Sequence, residues 1–462
     1  MLGYSLLLTV VLVLSSPWWL LRMATTARYR EGLLERLGGV PARLREVVPG
    51  CRVVWVHAVS VGEVLAASRL VGEMEAALNS SGGAGWVVVV STTTRTGQAL
   101  ARERFGAGRV FYMPLDFGFA VRAYLRALKP AALILMESEL WPRMLHECSR
   151  AEIPVAVVNA RVSDRSFARA IKVRWIWKRV VRRPSLWLAQ SEEDARRLVA
   201  MGARAETVSA AGNLKYDVRA PKVSWVAELI QRAAAGRPII VAGSMVESGG
   251  VYEDQSVIAA WRGAARGSFD ALLVIAPRHP ENFEGAKGRA RAYRSFDTYS
   301  LKIGARSEEA FTETGLGGDG LPVELIVLDT IGDLAAVYGV ATIAFVGGSI
   351  VPTGGHNPLE PAQFGVPVVM GPSFGNFRDI VERLKAADGI SVLGGTTGLS
   401  TALRSGRDDN FVVVEALETE LVRLLTDRDA AKAMGERGRQ VFEEQQGATA
   451  RAVEAIVAMV MR

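Results

Sequence analysis

Cysteine and histidine are scarce in this chain: its 462 residues hold two cysteines, Cys51 and Cys148, and four histidines, His57, His146, His279 and His356. Two isolated cysteines cannot build the disulfide framework of a small secreted domain, so they point to a reducing compartment. The histidines show no metal-ligand spacing, and no metal is expected. A dinucleotide fingerprint is missing as well, because the first apolar strand, VVWVHAV, runs into Ser60-Val61-Gly62-Glu63. That argues against a nicotinamide enzyme, and no cofactor is expected. The one match to G-x-G-x-x-G, at Gly315 to Gly320, follows FTET and runs into Leu321-Pro322, so it reads as a loop.

What is present is a mildly basic chain, with 55 Lys and Arg against 48 Asp and Glu, a net charge of +7 and a pI near 9.5. The basic residues form no recognised nucleic-acid-binding motif, so a membrane surface or a phosphorylated small molecule is the expected partner rather than nucleic acid. At 49% hydrophobic and 22% charged residues, the chain is long enough for two or three domains, each with its own core.

Leu2 to Leu21 is nearly all apolar, about the ~20 residues that cross a bilayer core. Trp18 and Trp19 stand at one end, where aromatic rings favour the interface. Arg22, Arg28 and Arg30 follow the run, whereas a secretory signal would carry its positive charge in front. Residues 1–22 therefore read as a membrane anchor with everything after it in the cytoplasm. Ser15, Ser16 and Pro17 leave open a helix that dips into one leaflet.

From Arg52 onward, short buried strands alternate with helical patterns: VVWVHAV, WVVVVS, RVFYMP, ALILM, PVAVVNA and LWLAQS, then IIVAG, LLVIAP, ELIVLD, ATIAFVG and PVVMG. Strands separated by helices give a parallel sheet wound on both faces. The pattern falters after Asp217, through Pro221, and restarts at Ile239. The expected fold is α/β, with two doubly wound Rossmann-like domains over residues 40–220 and 236–425, a helical segment over 426–462, and the N-terminal anchor helix. Two such domains describe the glycosyltransferase-B architecture, and also some epimerases and two-domain dehydrogenases.

The stretch Phe345 to Gly371, FVGGSIVPTGGHNPLEPAQFGVPVVMG, concentrates the ligand signals. A strand, a glycine loop, a helix opening at Asn357-Pro358-Leu359-Glu360 and a second strand place a helix N-terminus at the carboxyl ends of a parallel sheet, where ligands bind. A phosphate docked there would be stabilised by unpaired N–H groups, while Glu360 suits a ribose diol or serves only as a good first-turn residue. Arg278, after LLVIAP, points to the same ligand space and can fork onto phosphate or carboxylate. Ile331-Gly332-Asp333 after ELIVLD would offer backbone groups to a base or ribose, or is a plain strand-to-helix turn. Ser60-x-x-Glu63 is a capping box, yet Glu63 also stands where a carboxylate could take a proton from a hydroxyl, and the helix terminus should keep it ionised. MESELWP places Glu137 and Glu139 at another strand end, and a Glu137–Lys215 pair is plausible. The segment from Arg161 to Arg183 interleaves basic residues with Phe167, Trp175 and Trp177, as in a helix lying on anionic lipid or a solvated helix face.

Taken in order, HAVSVGE, MESELWP, NARVSDRS, GNLKYD, PRHPENF, DTIGDL and GGHNPLEPAQFGVPVVMGP closely resemble the Kdo transferases of lipopolysaccharide biosynthesis. The likeness runs over most of the chain. It implies transfer of 3-deoxy-D-manno-oct-2-ulosonic acid (Kdo) from CMP-Kdo to a lipid A precursor, inverting the anomeric centre, on the cytoplasmic face of the inner membrane. By the same resemblance Glu63 is the general base, and Glu137 with Lys215 stabilises the transition state. Pro277, Arg278, Ile331, Gly332, Asp333, Asn357, Pro358, Leu359 and Glu360 hold CMP. The loop Ser244 to Gly250 departs from the family pattern. A transferase of another nucleotide sugar, or a membrane-tethered binding protein that has lost catalysis, remains open beside this reading.

Overall fold

The computed structural model describes residues 2–25, 31–81, 85–220, 224–266, 269–293, 303–306, 323–394 and 408–462. The loop at Gly315 to Gly320, Pro221, Arg28 and Arg30 lie outside them. Two compact units emerge, one of Met1–Val218 with Gln445–Arg462 and one of Arg219–Glu444.

The first unit is built on a parallel sheet of β1 (Arg52–His57), β2 (Trp86–Thr92), β3 (Val110–Tyr112), β4 (Ala132–Met136), β5 (Val155–Ala160), β6 (Leu186–Ala189) and β7 (Val208–Ala210), in the order β3-β2-β1-β4-β5-β6-β7. All seven residues of WVVVVST in β2 are buried, the continuous apolar run that a sheet covered on both faces requires. Trp55, Phe111 and Tyr124 fill one face, with Phe111 and Tyr124 stacked at 4.9 Å. Val54, Val56 and Ile134 fill the other, beneath the helix Val61–Ser81 and the final helix Ala448–Val460. Asp217 fastens that final helix, because its carboxylate accepts the Gly447 N–H at 2.8 Å and the Thr449 N–H at 2.5 Å. The strand order reverses between β1 and β4, so the chain ends leaving these two strands diverge and open a crevice at their carboxyl ends.

The second unit repeats the scheme. Its strands are β8 (Ile239–Met245), β11 (Leu272–Pro277), β12 (Ile303–Ala305), β13 (Leu325–Val327), β14 (Ile343–Val346), β15 (Val368–Met370) and β16 (Ser391–Val392), parallel, in the order β12-β13-β11-β8-β14-β15-β16. Between β8 and its helix Glu253–Arg266 the unusual loop folds as a hairpin of β9 (Glu247–Ser248) and β10 (Val251–Tyr252). Gly249 and Gly250 both take positive φ, 61° and 80°, as a two-residue hairpin turn demands.

The N-terminal segment differs from expectation. A helix does form over Leu2–Thr25, but among the described residues no helix is long and apolar enough to cross a membrane, so the spanning anchor expected of residues 1–22 is not supported. Ser15, Ser16 and Pro17 interrupt the apolar run, and the two serine hydroxyls turn back onto the carbonyls of Val11 and Val13. Near its start, the Tyr4 hydroxyl donates to Asp116 at 2.8 Å, which ties this helix to the first unit.

Candidate functional site

In the first unit three carboxylates gather at the strand ends. Glu63 lies in the first turn after β1 and is 9% exposed. Its Oε2 accepts the Val59 N–H at 2.8 Å and its Oε1 accepts the Ser60 hydroxyl at 3.1 Å. The carboxylate thus reaches one residue beyond the cap backbone N–H that a capping box would use. Burial, with smaller contributions from the charges of Glu137 and Glu139, pushes its pKa from 4.5 up to about 7, against the pull of its hydrogen bonds. The expectation that the helix terminus keeps Glu63 ionised is therefore corrected: desolvation outweighs the helix end, and the carboxylate is poised between its two forms near neutral pH. Burial and the charge of Glu137 also raise Glu139.

Glu137 follows β4 with a left-handed backbone, φ 53°, which a non-glycine residue adopts at a cost of about 1 kcal/mol or more. Its N–H is held by the Val158 carbonyl at 2.8 Å. Next to it, Ser138 Oγ donates to the Arg161 carbonyl at 2.5 Å and accepts the Arg161 N–H at 3.1 Å. Lys215 Nζ stands 3.6 Å from Glu137 Oε1, as the pairing in sequence suggested.

Asn159, to which sequence reasoning assigned no role, sets the position of Lys215. It sits at a bulge in β5 with φ 60°, buried, and its Oδ1 accepts the Leu214 N–H at 3.0 Å. Asn213 continues the support by accepting the Lys215 N–H at 3.0 Å and donating to Gln190. The available signal was an asparagine at a strand end, one of the few residues at home in the left-handed region. His57, also unassigned, is fully buried at the end of β1, with Nδ1 within 2.9 Å of Ser91 Oγ and its ring 6.4 Å edge-on to Trp141. Burial drops its pKa to about 4, so it stays neutral.

In the second unit, Pro277 ends β11 and Arg278 follows it, with the Arg278 N–H bonded to the Met245 carbonyl at 2.8 Å. The positive charge of Arg278 acts on both His356 and Glu360. It therefore shares their neighbourhood, as expected from sequence. Glu360 keeps some solvent contact by area but is hemmed in by protein atoms, and this burial raises its pKa, opposed by Arg278 and by a bond from Asn357. His356 is held down to about 4, mainly by burial and then by Arg278, and its Nε2 is buried without a hydrogen-bond partner. Asp333 accepts from the Thr330 hydroxyl and lies 3.7 Å from Arg306, while Ile331 is 80% exposed and Gly332 takes φ 95°.

Two expectations about the glycine stretch need correction. The helix at Asn357 to Gly365 is a single turn, Leu359–Ala362, with Pro358 as its cap and Gly365 turning left-handed at φ 71°. One turn sums too few peptide dipoles to make an anion site. The N–H groups of Gly348, Ser349 and Ile350 are not open to a phosphate either, for they bind the carboxylate of Glu253 at 2.7, 2.9 and 2.8 Å. The chain's Asp-x-Asp triplet, Asp427 to Asp429, does ordinary capping: Asp427 Oδ1 accepts the Ala430 N–H at 2.9 Å at the start of the helix Arg428–Glu444.

The family described as 3-deoxy-D-manno-octulosonic-acid transferase (kdotransferase) matches residues 31–218. The 3-deoxy-D-manno-octulosonic acid transferase of Bordetella pertussis is 32% identical over 448 residues, spanning 95% of this chain and 94% of that protein. The enzyme of the same description from Haemophilus influenzae is 29% identical over 436 residues, spanning 92% and 91%. Among solved structures, the S. aureus MnaA complex with UDP superposes with a TM-score of 0.54 at 14% identity, covering 88% of this chain and 96% of that one. The UDP-GlcNAc 2-epimerase of Neisseria meningitidis gives 0.52 at 10% identity, covering 88% and 100%. At such low identity these two likenesses concern the fold.

Proposed function

The chain belongs to the 3-deoxy-D-manno-octulosonic acid transferases and is a glycosyltransferase that adds Kdo in lipopolysaccharide core assembly, and we propose that it moves Kdo from CMP-Kdo to a lipid A precursor of the lipid IVA type with inversion at the anomeric carbon. The observation that carries the chemistry is Glu63, a buried carboxylate with its pKa raised to about 7 beside Glu137 and Glu139. A general base works best when its pKa lies near the operating pH. In the proposed step the acceptor hydroxyl oxygen forms a bond to the anomeric carbon of Kdo, its proton goes to Glu63, and the bond from that carbon to the CMP phosphate breaks with its electron pair on the phosphate oxygen.

Glu137 and Lys215 form the charged pair next to Glu63 and, in this reading, balance charge as the bond breaks. In the second unit Pro277, Arg278, Ile331, Gly332, Asp333, Asn357, Pro358, Leu359 and Glu360 hold CMP. Arg278 meets the charge that grows on the departing phosphate, and Glu360 accepts from the ribose hydroxyls. The step calls on no metal.

The same reading puts the protein at the cytoplasmic face of the inner membrane. Three features favour lipid contact. The helix Leu2–Thr25 leaves Val11, Val13, Leu14 and Trp18 exposed, the last two at 77% and 47%. The paired helices Asp164–Lys172 and Arg174–Val181 carry Arg169, Lys172, Arg174, Lys178 and Arg179. Among these cations Trp175 is 70% exposed, the mix of charge and aromatic surface that suits an anionic bilayer face.

A labelled-donor turnover assay on the purified protein tests the reaction. Transfer of Kdo from CMP-Kdo to a detergent-dispersed lipid IVA acceptor is the expected result. Turnover of a UDP-sugar in its place, or nucleotide binding with no transfer, would overturn it.

A further inference from the structure

Glu253 is absent from the functional reading above, yet its side chain is buried with no exposed surface. It opens the helix Glu253–Arg266, and the hairpin before it returns the chain so that the side chain points under the end of β14. Its Oε1 accepts the N–H groups of Ser349 and Ile350 at 2.9 and 2.8 Å; its Oε2 accepts those of Gly348 and Val246 at 2.7 and 3.1 Å. Burying an uncompensated carboxylate would cost several kcal/mol, roughly, so this cluster of donors is what lets the charge remain. Burial raises its pKa on balance, and these same bonds oppose that rise.

The consequence reaches the chain segments that carry Arg278 and Asn357 to Glu360. The turn that Glu253 holds is folded back by the Gly355 N–H onto the Gly348 carbonyl at 2.6 Å, and by the His356 N–H onto the Gly347 carbonyl at 3.1 Å. Asn357 to Glu360 follow directly. Gly347 has to be glycine, since a Cβ there would fall 2.4 Å from Met245 Cε and 2.6 Å from the Ser244 carbonyl oxygen. On the other side Glu253 is tied to Val246 at the end of β8 through both its carboxylate and its own N–H. The neighbouring Met245 carbonyl holds the Arg278 N–H. One carboxylate thus joins the chain segments carrying Arg278 and Asn357 to Glu360.

We propose that Glu253 is a positioning residue of the donor site: its carboxylate takes the place of an anion in the turn Gly348 to Ile350 and so holds Arg278 and Asn357 to Glu360 in register for the nucleotide. This rests on the reading of the second unit as the CMP-binding one. It differs from a plain stabilising role in what it requires of the turn, namely an acceptor-only group that takes every N–H at once.

Calorimetry of CMP binding to the full-length protein, to E253A and to E253Q, each with and without sodium formate, tests it. E253A is expected to bind CMP about tenfold or more weakly, the effect of losing several hydrogen bonds to a charged acceptor. Formate, which can enter the space left by the side chain, should restore most of that affinity. E253Q keeps the shape but turns an amide N–H₂ toward backbone N–H groups, so it should also lose about tenfold and gain nothing from formate. Unchanged CMP affinity in E253A and E253Q, with only their melting temperatures lowered, would mean that Glu253 merely stabilises and overturns the proposal. A loss in folded E253A that formate does not relieve overturns it as well. If E253A does not fold, the loss in E253Q decides by itself. A parent protein that fails to bind CMP instead overturns the donor reading, and this proposal with it.

Discussion

Lys215 Nζ lies 3.6 Å from Glu137 Oε1, and the two side chains remain 23% and 34% exposed. A pair so open to water contributes little to stability, about 1 kcal/mol at most. Even so, Glu137 takes a left-handed backbone there, and Lys215 is set in place by the bonded sequence Asn159, Leu214 and Asn213. Strain and support at a weak ion pair fit a group placed for its charge near Glu63 rather than for the fold.

Glu63→Gln separates the catalytic reading from the capping one. The amide oxygen can accept the Val59 N–H, and its N–H₂ can donate to Ser60 Oγ, so the local bonds persist. It has no basic site, so transfer should slow by about 10²- to 10⁴-fold in a single-turnover assay. Parent-like rates in a normally melting variant would make Glu63 a cap only.

The same substitution has a pH signature in stability. A carboxyl whose folded pKa is about 7 against 4.5 binds more protons folded than unfolded between those values. Its contribution therefore falls as pH rises through that window, by roughly 3 kcal/mol in total. Glu63→Gln should melt higher than the parent at pH 8, and the gain should vanish near pH 4. A constant difference across that range would show that folding does not raise the pKa of Glu63.

Glu137→Gln and Lys215→Ala should move the pH profile of kcat/KM in opposite directions. The charge of Glu137 raises the pKa of Glu63. Its removal lets Glu63 ionise at lower pH, so the acid limb shifts downward. Removing Lys215 leaves Glu137 without its counter-charge, so the limb shifts upward. Limbs that stay fixed in both variants would place the base outside this cluster.

The strands were legible in the sequence because apolar runs such as WVVVVST and LWLA are short and rich in β-branched or aromatic residues, which suits a sheet covered on both faces. The motif-bearing residues were legible because they sit where strands end and glycine or proline marks the turn. Other features depend on contacts between residues far apart. The run Leu2 to Leu21 shows apolarity and length, but the docking of Tyr4 on Asp116 involves residues 112 apart. Glycines at 347, 348, 354 and 355 announce a tight turn, but not that a glutamate 95 residues earlier would fill it. The raised pKa of Glu63 is hidden from the sequence for the same reason. The helix end is visible in sequence, whereas desolvation and the neighbouring carboxylates are not.

Arg278→Ala and Glu360→Ala should fail differently. Glu360 is hemmed in and bonded to Asn357, and in the proposed reading it accepts from the ribose hydroxyls. Its loss should weaken CMP binding by about 1 to 3 kcal/mol, the range for bonds to a charged acceptor. The positive charge of Arg278 acts on both Glu360 and His356. If it mainly meets charge that grows as CMP departs, Arg278→Ala should lower kcat more than it weakens CMP affinity. Its removal should also let Glu360 hold its proton more firmly, because the charge that opposes the burial of that carboxylate is gone. CMP affinity of Arg278→Ala should then improve with rising pH more steeply than that of the parent, as the carboxylate form returns. Calorimetry at several pH values reads both effects. Equal losses in kcat and affinity, with the parent's pH dependence retained, would remove Arg278 from the developing charge and leave it a ground-state ligand.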